Sequence, residues 1–202
     1  AALLFVLFPV LSRREFRAAL VEIGPGPSLR VVGYFTLLGL AFLLVEIALI
    51  HHPFLLLGHP TLAVATVIAS LLLSYGVGST RSARFGWRRL MVLLVVLLVA
   101  YPFVVEALTP LLRPLPLAGR VLATALLIAP VGFLMGMPFP RGVAALSETS
   151  DVVPWAWAAN GSASVVSAVL AAMLALSLGF GAVLAIGAGL YLGAALIRWS
   201  PA

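Results

Sequence analysis

Six acidic side chains and three histidines are the groups in this chain best suited to bind ions or move protons. Two of the acids, Glu46 and Glu106, fall inside long apolar runs. An ionisable group at membrane depth costs several kcal/mol unless it is paired, which makes each a candidate functional residue. Both stand within about one turn of the end of their run, where a carboxylate also reaches the interface or bonds a neighbouring helix. Glu148 and Asp151 follow a Gly-Met-Pro-Phe-Pro segment and could bind a cation, although two loop carboxylates more commonly just solvate the loop. His51, His52 and His59 cluster on one short connection. Neutral imidazole ligates haem, chlorophyll-type pigments or zinc. Adjacent histidines cannot face the same way on a helix, and no cysteine or carboxylate lies nearby to complete a site. Interfacial polar residues are the plainer account, and no cofactor is implied.

The elements that must position these residues are read from runs of about 20 apolar residues, the length that crosses a bilayer. Residues 1–12 form a partial span, expected to be the tail of a helix that begins before the chain does. Full spans follow at 31–50, 61–79, 90–108, 120–137, 155–178 and 181–199. The Gly24-Pro25-Gly26-Pro27 break precedes the first full span, and the histidine segment 51–60 connects it to the next. Pro102, Pro110, Pro114 and Pro116 kink or end helices, and Pro130 bends the span that contains it. Residues 138–154 read as a polar connection. Asn160-Gly161-Ser162 matches a glycosylation sequon but stands at the head of a membrane span, where it reads as helix capping.

Composition requires the bilayer. Of 202 residues 63% are apolar and 9% charged, against about half and a quarter in soluble domains. The net charge of +6 comes from arginine alone, lysine being absent. Its arginines lie between apolar runs rather than along one face, so they set topology and do not read as a nucleic-acid surface. If the spans alternate, ten arginines fall on one side and only Arg113 and Arg120 on the other. Positive charge stays inside, which places the histidine connection outside. The absence of cysteine excludes disulfides, thiolate metal sites and cysteine nucleophiles.

Small residues mark where helices pack. Ala163, Ser167 and Ala171 recur every fourth position on one span, and Gly189 and Gly193 on the next. Such stripes let backbones approach closely, and a three-residue turn makes the two spans antiparallel neighbours. The expectation is an intimate hairpin through these five residues. The run 90–99, almost all leucine and valine, is expected to face lipid.

There is no Gly-x-Gly-x-x-Gly after a strand, no P-loop and no Ser/His/Asp or paired-carboxylate constellation. Three stretches are nevertheless distinctive: YFTLLGLAFLLVEIALIHHPFLLLGHP at 34–60, GFLMGMPFPRG at 132–142 and PWAWAANGSASV at 154–165. In order and spacing they resemble the C-terminal membrane region of bacterial multi-pass spermidine synthase-like proteins, over nearly the whole chain. That family joins a Rossmann-like aminopropyltransferase-type domain to membrane helices, and the resemblance here covers only the membrane part. His51-His52-Pro53 departs from the more usual Gln-Arg-Phe. No nucleotide-binding glycines or catalytic acids of the soluble domain have a counterpart.

The expected fold is therefore an all-α polytopic transmembrane helix bundle, one domain over residues 1–202, with about six full spans and a partial first one. The expected role is a non-catalytic scaffold, anchor or accessory subunit in a bacterial cytoplasmic membrane, its partners lipid and other membrane subunits, with no nucleic acid. The alternatives are a carrier or channel for a small cation such as a polyamine, or the membrane part of a synthase-like enzyme.

Overall fold

The computed structural model describes residues 25–146 and 152–197, and these are helical almost throughout. Long apolar segments fold this way because a bilayer offers no partner to an exposed backbone amide, and a helix satisfies its own. In chain order the helices are α1 (Pro25–Leu57), α2 (Pro60–Thr80), α3 (Trp87–Leu112), α4 (Leu117–Met135), α5 (Pro138–Ala145), α6 (Val153–Leu178) and α7 (Phe180–Leu196), with a 3-10 turn at Ser82–Arg84. Among the described residues five stretches are long and apolar enough to cross a membrane, one of them running from α4 into α5. α7, at 17 residues, is shorter.

α1 is the axis of the bundle. It packs most heavily on α6 and α7 and more lightly on α2 and α4. Around it the others form a collar in which α2 packs on α4, α4 on α3, α3 on α7 and α7 on α6. Extensive packing is missing between α2 and α6, so the collar is open there. One end is tied by Arg141 of α5, whose guanidinium donates to the carbonyls of Ser82 and Phe85. The other is tied by Arg120, which donates to the Leu56 carbonyl at 2.8 Å. Arg30, Arg81, Arg84, Arg88, Arg89 and Arg141 thus belong to one end of the bundle and Arg113 and Arg120 to the opposite end.

Several sequence boundaries move. α1 begins at Pro25 and takes in the Gly26-Pro27 step, because proline in a first helical turn gives up no hydrogen bond. It also continues through Pro53, so the histidine segment is mostly helix and the connection shrinks to Gly58 and His59. Gly58 takes a positive φ of 73°, which glycine adopts without strain. Pro102 and Pro110 lie inside α3, and α4 continues through Pro130. Half of the supposed polar connection is the short helix α5. α3 is not wholly lipid-facing: Leu90, Met91, Leu94, Leu98 and Tyr101 are buried, while Val92, Leu93, Val96 and Val99 are exposed.

The small-residue stripe also serves a different interface. Ser167 Oγ donates to the Leu40 carbonyl of α1 at 2.5 Å, and Ser164 Oγ to that of Gly39 at 3.2 Å. A Cβ on Gly39 would overlap the Asn160 carbonyl oxygen and stand 3.0 Å from the Ala163 Cβ. On α7, Gly193 faces Leu37 of α1, and nothing lies within 4 Å of a Cβ built on Gly189. Ala171 is fully buried. The stripe therefore lets α6 press on the central helix, and the expected hairpin of α6 on α7 is the lighter contact. A short turn fixes sequence neighbours side by side, but the third helix between them takes the close approach. The partial span 1–12, Glu148, Asp151 and residues 198–202 lie outside the described residues.

Candidate functional site

The open side of the collar holds a cavity of about 760 Å³. α1 forms its floor with Leu38 and Phe42, and α2 supplies Tyr75, Gly76 and Ser79. α5 contributes Phe139 and Val143, α6 Trp157, Asn160 and Ser164, and α7 Tyr191. Tyr75 and Ser79 are in the last turns of α2 and Trp157 and Asn160 in the first turns of α6, so the cavity belongs to the arginine-rich end.

Aromatic packing holds its walls apart. The rings of Phe42 and Tyr75 lie 5.0 Å apart, and those of Phe139 and Trp157 meet edge to face at 4.6 Å. Phe35 meets Phe139 at 5.3 Å. Such pairs add stabilisation beyond their buried area, and their bulk spaces the backbones.

The polar groups of the lining divide into two kinds. Asn160 Nδ2 donates to the Phe35 carbonyl at 3.2 Å, and Ser164 Oγ reaches the carbonyls of Gly39 and Asn160. Asn160 is thus two turns inside α6 and ties two helices; the capping reading of the sequon does not hold. By contrast the Tyr75 hydroxyl is buried without a hydrogen-bond partner among the described residues. Tyr191, also in the lining, is only 1% exposed. Tyr34, one element away, donates from its hydroxyl to the Pro138 carbonyl at 2.8 Å and so fixes α5 against α1.

Glu46 stands one turn beyond Phe42 on α1, half-buried, within electrostatic reach of Tyr75 and Tyr191. The helix end that the sequence placed beside it is displaced: α1 runs on to Leu57, about 16 Å further at 1.5 Å per residue. Glu106 is exposed on α3 and takes no part in the cavity. His51 stacks flat on Phe180, centroids 3.7 Å apart and planes at 9°, and joins α1 to the start of α7. His59 is exposed before α2 and makes no side-chain cap. The side chain of His52 lies outside those described. Among the described residues no three His, Asp or Glu side chains gather as a metal site.

Sequence reasoning missed Tyr75 and Tyr191 and gave Asn160 the wrong role. The signal was there in the tyrosines: all four of the chain's stand inside apolar helices, Tyr75 and Tyr191 within the last turns of theirs. A hydroxyl buried between helices needs a partner, and only the packing shows which of them has one.

No family model, curated protein or solved structure matches the chain. What the helices define is a class: an all-helical, multi-pass membrane protein.

Proposed function

We propose that this chain is a non-catalytic membrane domain, a scaffold or accessory subunit of a larger membrane protein or complex of the kind its sequence resembles. The observation that carries this is where the interior polar groups go. Asn160, Ser164 and Ser167 bind backbone carbonyls of α1, Tyr34 binds that of Pro138, and Arg120 and Arg141 bind carbonyls at opposite ends. A carrier needs polar groups that exchange partners along a path through the membrane. Here they lock helices to one another, and the cavity stays at one end.

The excess of arginine at that end supports the reading that it faces the cytoplasm, in what we propose is a bacterial inner membrane. Single cysteines placed at Ser28 and His59 in this cysteine-free chain should label from opposite sides. Labelling of the Ser28 position from outside would reverse the orientation.

A second reading, transport of a small cation, is favoured by one observation: Glu46 sits beside two tyrosines and no ion pair engages it among the described residues. Proteoliposomes loaded with the chain and given labelled spermidine decide between the two. The expected result is no uptake, together with cross-links from the chain to another polypeptide in native membranes. Uptake that disappears in Glu46→Gln would overturn the scaffold reading. Turnover of decarboxylated S-adenosylmethionine with putrescine, above a Glu46→Gln, Asp151→Asn control, would overturn its non-catalytic part.

A further inference from the structure

We infer that the turn between α2 and α3 docks an anionic phospholipid, its phosphate on Arg81, Arg84, Arg88 and Arg89 and an acyl chain on the exposed apolar stripe of α3 below them. The inference does not rest on the scaffold reading, since a scaffold, a carrier or an enzyme's membrane part could each hold such a lipid.

Four arginines fall between residues 81 and 89, and no acid stands between Glu46 and Glu106 in the sequence. Arg81 caps the end of α2, Arg84 closes the 3-10 turn, and Arg88 and Arg89 lie in the first turn of α3. All four side chains are exposed, and none has an ion pair or a side-chain hydrogen bond among the described residues. Arg120 and Arg141 differ, because each spends its guanidinium on backbone carbonyls. Sidedness explains arginine at this end but not its concentration above one stripe. Nor do Arg88 and Arg89 stabilise their own helix, whose dipole disfavours cations in the first turn.

The turn that carries them is held in place. Arg141 of α5 donates to the carbonyls of Ser82 and Phe85, and the Arg84 amide donates to the Arg81 carbonyl at 3.0 Å. The Phe85 ring meets Phe133 of α4 edge to face at 6.0 Å. The charges therefore stand on a fixed backbone, which lowers the ordering cost of binding.

What lies beneath the arginines names the occupant. Val92, Val96, Val99 and Phe103 follow Arg88 at steps of three or four, on one face of α3, and each is more than half exposed. From Val92 to Phe103 the stripe is about 16 Å long at 1.5 Å per residue, close to half of a hydrocarbon core about 30 Å thick. A headgroup phosphate on the arginines thus brings its chain onto that stripe. A soluble polyanion would use the charges and leave the stripe bare, and a neutral lipid would do the reverse.

The full chain in neutral maltoside micelles would be titrated with dioleoylphosphatidylglycerol and, separately, with dioleoylphosphatidylcholine, bound lipids being counted by native mass spectrometry. Saturable binding of the anionic lipid is expected, about tenfold or more tighter than that of the neutral one. Arg88→Gln combined with Arg89→Gln should weaken it about tenfold. Arg113→Gln, at the other end of the same helix, should leave it unchanged. All three arginines are exposed, so these variants are expected to fold, and melting checks this. Glycerophosphoglycerol, the same headgroup without chains, should fail to displace the lipid at equal concentration. Equal affinity for the two lipids, or saturable binding of neither, would overturn the inference. So would an affinity that the double substitution leaves unchanged, or one that Arg113→Gln lowers as far. Displacement by glycerophosphoglycerol at equal concentration would overturn it in favour of a soluble anion.

Discussion

The two flanks of α1 solve the same problem in opposite ways. Toward α6 the contact is made by small residues: Gly39 lies against the Asn160 carbonyl, and Ser164 and Ser167 donate to carbonyls of α1. Toward α2, on the cavity side, the contact is made by Phe42 against Tyr75, and the hydroxyl of that tyrosine is left without a partner among the described residues. In lipid no hydrophobic drive pushes helices together, so association depends on packing and on interhelical hydrogen bonds. Where side chains are small, both are obtained at once, because the backbone carbonyl comes within reach of a serine. Where side chains are aromatic, the backbones are held apart, a polar atom is stranded, and a cavity remains.

The largest test of this contrast is Gly39→Leu. Four side-chain carbons cannot fit where even a Cβ overlaps the Asn160 carbonyl, and α6 must move off α1. Overpacking of this kind costs about 1–3 kcal/mol or more, here toward the upper end because the opposing atom is backbone. Thermal melting in detergent should show a large fall or no folded bundle. A variant that melts with the parent would move the tight interface elsewhere.

Ser167→Ala comes next. It removes one interhelical hydrogen bond and leaves the Leu40 carbonyl with its helical partner, so the loss should be about 0.6–1.7 kcal/mol. Chemical denaturation in mixed micelles would measure it.

On the other flank the sign should reverse. Tyr75→Phe deletes a buried hydroxyl that has no partner among the described residues, and in detergent it should raise stability by up to about 1 kcal/mol. If it destabilises there, the hydroxyl is bonded in the protein and the contrast between the flanks fails.

The smallest effect belongs to Gly189→Leu. The stripe on α7 gave reason to expect a severe loss, but a Cβ at Gly189 meets nothing within 4 Å, so the change should stay within about 0.5 kcal/mol. A melt that falls as far as that of Gly39→Leu would restore the hairpin of α6 on α7 as the main interface.

Length and composition of the apolar runs were enough to establish an all-helical membrane bundle, because a bilayer allows a chain of this composition almost no other backbone arrangement. The arginine distribution likewise ordered the two ends. Three things were not legible. Proline and glycine marked breaks at residues 24–27 and 51–53, yet the helix already includes residues 25–27 and continues through 51–53, since proline in a first turn loses no bond and a single lost bond at Pro53 is outweighed by the helix on either side. The small-residue stripe showed that some backbone comes close to α6, but periodicity names a face and not the helix that meets it. Glu46 was visible as an acid inside an apolar run, whereas its tyrosine neighbours come from α2 and α7, far away in sequence. Which hydroxyls find a carbonyl and which are stranded depends on the separation of two backbones, and only the tertiary packing sets that distance.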